Sequence, residues 1–228
     1  MLNCQNCPHA GKHPFCELGS EARAFLEANS TTVEYPRGAL LFREGTSSDS
    51  VYILCSGRVK IAASSAEGRT AILRIAAAGD VVGLSAALNG TVYEASAEAV
   101  EPCKIRILQT RLLMQLLTQF SDASMAASSM LAQHYQAAFQ EIRRIALPDS
   151  PAGRVARLIL DWSENGQALP ASTITMPLTH EEVASMTATT RETVTRTLSR
   201  FRKEKLIAIK GISLTILEPA QLRHLCAC

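Results

Sequence analysis

A chain of 228 residues with 47% hydrophobic content is long enough to bury a full core and to divide into two domains. Its formal net charge is only +2, so any binding of a polyanion must rest on a local patch. The apolar stretch 71–88 is interrupted by Arg74 and Asp80, and the N-terminus lacks the basic, apolar, small-residue order of a leader, which predicts a cytoplasmic protein with no membrane partner.

Residues 1–17 are rich in Cys and His, carry Pro8, Gly11 and Pro14, and show no periodicity. They read as a sensory tail, a loop that needs something to order it. In a reducing compartment seven cysteines point to metal ligands, redox sensors or buried hydrophobes rather than disulfides. Within 18–110, short β-rich runs from Thr31 to Leu108 alternate with turns at Gly38, Gly45, Gly57, Gly68, Gly79, Gly83 and Gly90. That spacing predicts an antiparallel barrel or jelly-roll-like β-roll, with 51–54, 58–61 and 71–75 as its clearest strands.

In the region 111–147, the stretch from Phe120 to Leu147 has neither Gly nor Pro and predicts one helix of about seven or eight turns. Met125, Ser128, Ala132, Tyr135, Phe139 and Ile142 recur on it every three or four residues. Such a stripe packs either on its own domain or on a second copy of itself. Pro148-Asp-Ser-Pro151 then breaks the helix and opens a last domain, 148–228.

That last domain carries the sharpest pattern. Residues 178–206 read as two short helices around a tight turn. Thr179, with Glu182 three residues on, forms a capping box before the first, where Val183, Ala184 and Met186 are apolar. In the second, Val194, Leu198 and Phe201 recur at helical spacing and turn Arg191, Glu192, Thr195, Arg196 and Arg200 outward or to the flanks, with Thr190 at its start. An arginine there gives two hydrogen bonds to guanine and a glutamate accepts one from a cytosine amino group, so this helix is suited to a DNA major groove. From Thr190 to Lys205 six Lys or Arg stand against two Glu, a local excess suited to phosphates. The runs 206–209 and 212–217 around Lys210-Gly211 predict a hairpin wing, and Pro219 to Leu225 a closing helix.

Taken together, the chain resembles the Crp/Fnr superfamily of transcription regulators along nearly its whole length. The resemblance is carried by residues 38–45 (GALLFREG), 52–61 (YILCSGRVKI) and 191–196 (RETVTR). It implies an α+β chain: an antiparallel β-roll, a long dimerisation helix and a C-terminal winged helix-turn-helix. It also implies a homodimer, double-stranded promoter DNA with paired half-sites about 34 Å apart, and RNA polymerase as a partner. Glu192 and Arg196 match residues that read a shared part of the half-site, Arg191 is similar to the cyclic-AMP branch, and Thr195 to the oxygen-sensing branch. Ala188 stands where relatives often have a turn glycine, and a left-handed backbone there costs on the order of 1 kcal/mol.

The family's ribose glutamate and phosphate Arg-Ser pair are missing: Gly83 is followed by Leu84 and Ser85, and no arginine lies between Arg74 and Arg106. Cyclic AMP is therefore not expected, and neither is haem, because 20–110 holds no histidine. Cys4, Cys7 and Cys16 form a C-x2-C-x8-C array, and the resemblance to oxygen-sensing Fnr proteins makes Cys103 the distant fourth cysteine, a set suited to a 4Fe-4S cluster. Two alternatives stay open. Zinc at Cys4, Cys7 and Cys16 with His9 or His13 fits the spacing, and so does a thiol-disulfide switch, with Cys103 then a core residue. Cys55 reads as core; Cys226 and Cys228 are given no role. An enzyme is not expected, since no nucleophile-base set, Gly-rich phosphate loop or H-E-x-x-H site is present.

Overall fold

The glycine-punctuated stretch folds as two four-stranded antiparallel sheets. In the computed structural model, the residues described are 14–65, 70–146, 150–164 and 173–226, so Cys4, Cys7, His9, His13, Gly68 and Cys228 lie outside them. The strands are β1 (Ser30–Tyr35), β2 (Leu40–Phe42), β3 (Ser50–Ser56), β4 (Val59–Ser64), β5 (Thr70–Ala76), β6 (Val81–Val82), β7 (Ser96–Ala99) and β8 (Cys103–Gln109). One sheet has the order β1-β8-β3-β6 and the other β2-β7-β4-β5, with every pairing antiparallel.

The period of two along β3 explains how the first sheet is buried on both faces. Leu54 joins Leu41, Val59, Ala97, Ala99, Cys103 and Ile105 in one buried cluster, with Tyr52 packed against it. Val51 and Ile53, on the opposite face, join a second cluster with residues of α1 (Ser20–Asn29), α2 (Leu84–Asn89), α3 (Thr110–Gln119) and α4 (Ser121–Ala146). Phe15 and Leu18 are buried in that cluster too, so the end of the tail, a single 3-10 turn at Pro14–Cys16, is ordered by burial of an aromatic ring.

The long helix α4 ends within a residue of its expected bounds. Phe120 is extended and separates it from α3. Ala123, Ala126, Ala127 and Met130 are buried, which fixes the side of the helix that faces the roll. Met125, Ser128, Ala132, Tyr135, Phe139 and Ile142 are all exposed.

The chain divides into two compact units, Met1–Ala138 and Phe139–Cys228. In the second, α5 (Pro151–Glu164), α6 (His180–Met186), α7 (Arg191–Lys203) and α8 (Pro219–Leu225) accompany a hairpin of β10 (Ile207–Lys210) and β11 (Ser213–Ile216). The wing has a third strand that the sequence did not announce, β9 (Thr173–Thr175), paired with β11. Trp162 Nε1–H donates to the Thr175 carbonyl at 3.0 Å and ties β9 to α5. Val155, Ile159, Val183, Val194, Leu198, Phe201, Leu214 and Leu222 are among the buried residues of this unit. No helix among the described residues is long and apolar enough to cross a membrane.

Candidate nucleic-acid interface

Each of the two short helices begins on a threonine. Thr179 Oγ1 accepts from the Glu182 N–H at 3.2 Å while the Glu182 carboxylate accepts from the Thr179 N–H at 2.9 Å, which completes the capping box. Thr190 caps α7 by accepting from the Thr193 N–H at 3.2 Å. Between them Ala188 adopts φ 45°, the left-handed conformation in which a Cβ is strained. Arg154 of α5 secures that turn: its Nε–H donates to the Thr187 carbonyl at 2.6 Å and Nη2 to the Ala188 carbonyl at 3.1 Å.

Helix α7 buries Val194, Thr197, Leu198 and Phe201 and leaves Arg191, Glu192, Thr195, Arg196 and Arg200 exposed. Arg196 Nη2 reaches Thr193 Oγ1 at 3.4 Å, and Arg200 pairs with Glu204 at 3.8 Å one turn on. The exposed side of the first two turns thus carries two guanidinium groups and a carboxylate in front of two capping threonines. That set can accept and donate at base edges while free helix N–H groups and cations meet phosphate. His180, at the start of α6, lies against this surface with Nδ1 2.9 Å from Thr195 Oγ1, a contact no sequence spacing signals. Arg154 was likewise illegible, being more than thirty residues from the turn it holds.

In the roll, a cavity of about 150 Å³ is lined by residues that include Arg74, Ser85, Tyr93, Glu94 and His134. Small-molecule sites are commonly some 300 Å³ or more. Arg74 in its wall already binds Asp80, with Nη1 3.1 Å from Oδ2. Tyr93 is stacked on Phe42 with ring centroids 3.9 Å apart and donates its hydroxyl to the Ser50 carbonyl at 2.6 Å. His134 of α4 sets Nε2 3.7 Å from Asp80 Oδ1, too far for a hydrogen bond but close enough to attract when the ring is protonated. Burial by itself would raise the Asp80 carboxyl; His134, the Arg74 charge and the Ala77 N–H outweigh it and hold the group below the usual carboxylate range.

Of the four cysteines proposed as ligands, Cys4 and Cys7 lie outside the described residues. Cys16 is half-buried beside Phe15. Cys103 is 3% exposed, and its single S–H is shared between the Arg58 carbonyl at 3.2 Å and the Glu101 carbonyl at 3.1 Å. A Cβ at Gly57, whose φ is 84°, would stand 2.6 Å from the Cys103 sulfur, so this turn needs glycine. Burial pushes the Cys103 thiol up. Soft sulfur donors fit an iron-sulfur cluster, and Cys103 would join such a set by giving up its proton and both carbonyl bonds. Among the described residues no group of three or more His, Cys, Asp or Glu is placed to hold a metal ion. Cys55, expected in the core, is half-buried.

Residues 153–225 match the Crp-like helix-turn-helix domain, and residues 32–120 match the cyclic nucleotide-binding domain. The chain is 28% identical over 203 residues to the "CRP-like cAMP-activated global transcriptional regulator" of Mycobacterium tuberculosis, covering 88% of this chain and 90% of that protein. It is 26% identical to the "Anaerobic regulatory protein" of Bacillus subtilis, covering 84% of this chain and 82% of that one. Its fold is that of FixK2 from Bradyrhizobium japonicum, with a TM-score of 0.78 over 87% of this chain and 98% of that one at 20% identity. With a β-roll at 32–120, a capped helix-turn-helix within 153–225 and relatives that span most of its length, this chain belongs to the Crp/Fnr family of DNA-binding transcription regulators, not to the enzymes.

Proposed function

We propose that this regulator binds paired half-sites in promoter DNA as a homodimer joined through α4, contacts RNA polymerase there, and responds to oxygen or redox state through its cysteines. The exposed face of Arg191, Glu192, Thr195 and Arg196 on α7 carries the DNA reading. The exposed stripe on α4 supports the dimer: Met125 is 70%, Tyr135 72%, Phe139 50% and Ile142 62% exposed, far more apolar surface than one helix ordinarily leaves in water. Two such copies related by a two-fold axis would present two recognition helices to successive major grooves.

The sensor reading rests on the cysteine array. Cys4, Cys7, Cys16 and Cys103 are proposed to hold a 4Fe-4S cluster, which when bound would supply an oxygen-labile tie between tail and roll. One relative is named as an anaerobic regulator and another as activated by cAMP. The small cavity, with Arg74 engaged by Asp80 and no second arginine in its lining, argues for the redox signal over a cyclic nucleotide.

Two measurements test this. Protein prepared without air is expected to be brown, to contain about four iron and four sulfide per chain, and to bleach in air. A palindromic duplex that it selects from a random pool should be bound without air and released with it, and Arg196→Ala should abolish binding in both conditions. Colourless protein carrying zinc would replace the cluster with a zinc-ordered tail. Colourless metal-free protein whose DNA binding follows added thiol or disulfide would replace it with a thiol switch, as the C-x2-C spacing allows. Binding to no duplex under either atmosphere would overturn the DNA reading itself.

A further inference from the structure

Helix α4 meets the roll, where β5 turns into β6, at two positions one helical turn apart. Met130 is 2% exposed, and its Sδ accepts from the Val81 N–H at 3.3 Å. One turn on, His134 Nε2 stands 3.7 Å from Asp80 Oδ1. The first contact is made and the second is left open. His134 Nε2 is shielded from water and has no hydrogen-bond partner, although the side chain as a whole is 26% exposed and so exchanges protons with solvent.

A buried, orphaned ring nitrogen beside a carboxylate has a definite chemistry. In the neutral imidazole Nε2 is either a lone pair facing a carboxylate oxygen or an N–H beyond hydrogen-bond reach of it. A proton taken from solvent makes Nε2 a charged donor in both cases, and the two atoms then need to approach by only about 1 Å to form a charge-assisted bond. Asp80 is the fixed partner. Its Oδ2 accepts from Arg74 Nη1 at 3.1 Å and from the Ala77 N–H at 3.0 Å. Its own N–H donates to the Ala77 carbonyl at 3.0 Å, and its carbonyl accepts from the Leu54 N–H at 2.9 Å. The approach therefore falls to His134 and the turn of α4 that carries it.

The surroundings agree on the sign. Around the ring stand Asp80, Arg74 and, in the wall of the same cavity, Glu94 and Tyr93. Its neighbours one turn away on α4, Met130, Leu131, Ala137 and Ala138, carry no charge. Two carboxylates against one guanidinium favour a positive ring.

We infer that His134 and Asp80 are a proton-operated clamp between α4 and the roll, open with a neutral imidazole and closed as an ion pair when the ring is protonated. Ala132 and Tyr135, both exposed, flank His134 on the helix, so the clamp sets how firmly that stretch of α4 is backed by the roll. The inference does not depend on what the exposed stripe of α4 meets or on what α7 binds.

The experiment reads amide hydrogen exchange of the full-length protein by mass spectrometry, in peptides spanning residues 126–138, at about pH 8 and about pH 5.5. Rates are corrected for the intrinsic pH dependence of exchange. Wild-type protection in this segment is expected to rise about fivefold or more on acidification. His134→Gln, which stays polar without titrating, and Asp80→Asn, which removes the carboxylate, should each abolish the rise. Peptides of α7 serve as the internal reference, and there the variants should match wild type. A merely packing role for His134 would lower protection by the same factor at both pH values. The inference is overturned if wild-type protection does not rise, or if the rise persists in His134→Gln or Asp80→Asn. A second readout needs no Asp80 variant. Proton NMR of wild type at about pH 5.5 should show an imidazolium N–H signal protected from exchange and absent from His134→Gln, and the lack of such a signal overturns the clamp as well.

Discussion

Arg154 and Thr187 are joined by a 2.6 Å hydrogen bond from the guanidinium Nε–H to the backbone carbonyl, and a second bond at 3.1 Å reaches the Ala188 carbonyl next to it. The turn between the two helices of the helix-turn-helix is therefore held from outside the motif, by a helix earlier in the chain. Arg154→Ala should lower the stability of the C-terminal unit by about 2 kcal/mol, the value of charge-assisted bonds to two backbone carbonyls. Arg154→Lys should recover less than half of that, because an ammonium does not span two carbonyls as a planar fork does. Denaturant unfolding of both variants checks this, and equal stability of Lys and wild type would show that the fork geometry is irrelevant.

Ala188 at φ 45° makes the opposite prediction. Ala188→Gly removes a Cβ from a left-handed position and should raise stability by about 0.5–1 kcal/mol despite the greater freedom of glycine in the unfolded chain. A β-branched residue there should lower it by more than that. Thermal unfolding in which glycine is neutral or destabilising would show that the turn stores no such strain.

The Asp80 carboxylate gives a pH signature. Its folded pKa is depressed, so its contribution is fully present above the unfolded carboxylate value, about 3.9, and is lost as pH falls through the lower folded value. Asp80→Asn should therefore cost about 1–2 kcal/mol near neutral pH, with the difference from wild type closing in strong acid. His134→Gln should reproduce part of that loss. A gap between Asp80→Asn and wild type that is constant from neutral to acid would rule out the ionised Asp80 as its source.

Helix α4 offers a test by charge. Tyr135 is 72% exposed, so Tyr135→Glu should leave the unfolding of the roll unchanged within about 0.5 kcal/mol. If the stripe is the dimer seam, the same change buries a carboxylate at the interface and should weaken association by about 100-fold or more. Sedimentation equilibrium reads the difference, and an unaltered dimer would move the seam elsewhere.

The Cys103 thiol should be the slow one. It is buried, hydrogen-bonded to two carbonyls, and its pKa is raised above that of an ordinary thiol. In metal-free native protein, alkylation followed by peptide mass mapping should show Cys16 modified before Cys103, with the difference disappearing in denaturant. Cys103 modified as fast as Cys16 would mean that its two carbonyl bonds open readily.

Features set by short-range pattern were legible in the sequence: the strands β3, β4 and β5, the extent of α4, the capping box at Thr179 and Glu182, and the buried spacing of Val194, Leu198 and Phe201. Each follows from a periodicity of two or 3.6, or from a cap read over four residues. Strand β9 escaped because three residues with one buried side chain, Ile174, carry no period; it exists only by pairing with β11. The partners of Thr195 and Thr187 escaped because α6 and α5 reach them through space, and residue identity at positions 180 and 154 says nothing of that. The helix α1 and the burial of Phe15 were hidden by the same limit, since a lone aromatic in a Pro-rich segment looks like loop until a core is available to receive it.

That buried ring anchors the chain next to Cys16. Cys16 follows immediately after Phe15, which is packed in the same cluster as Ala123, Ala126, Ala127 and Met130 of α4. The slack between the sulfur-bearing residue and the plug is a single residue, about 3.6 Å of chain at full extension. Cys16 can therefore move only that far from its neighbour's backbone unless the Phe15 ring leaves the cluster.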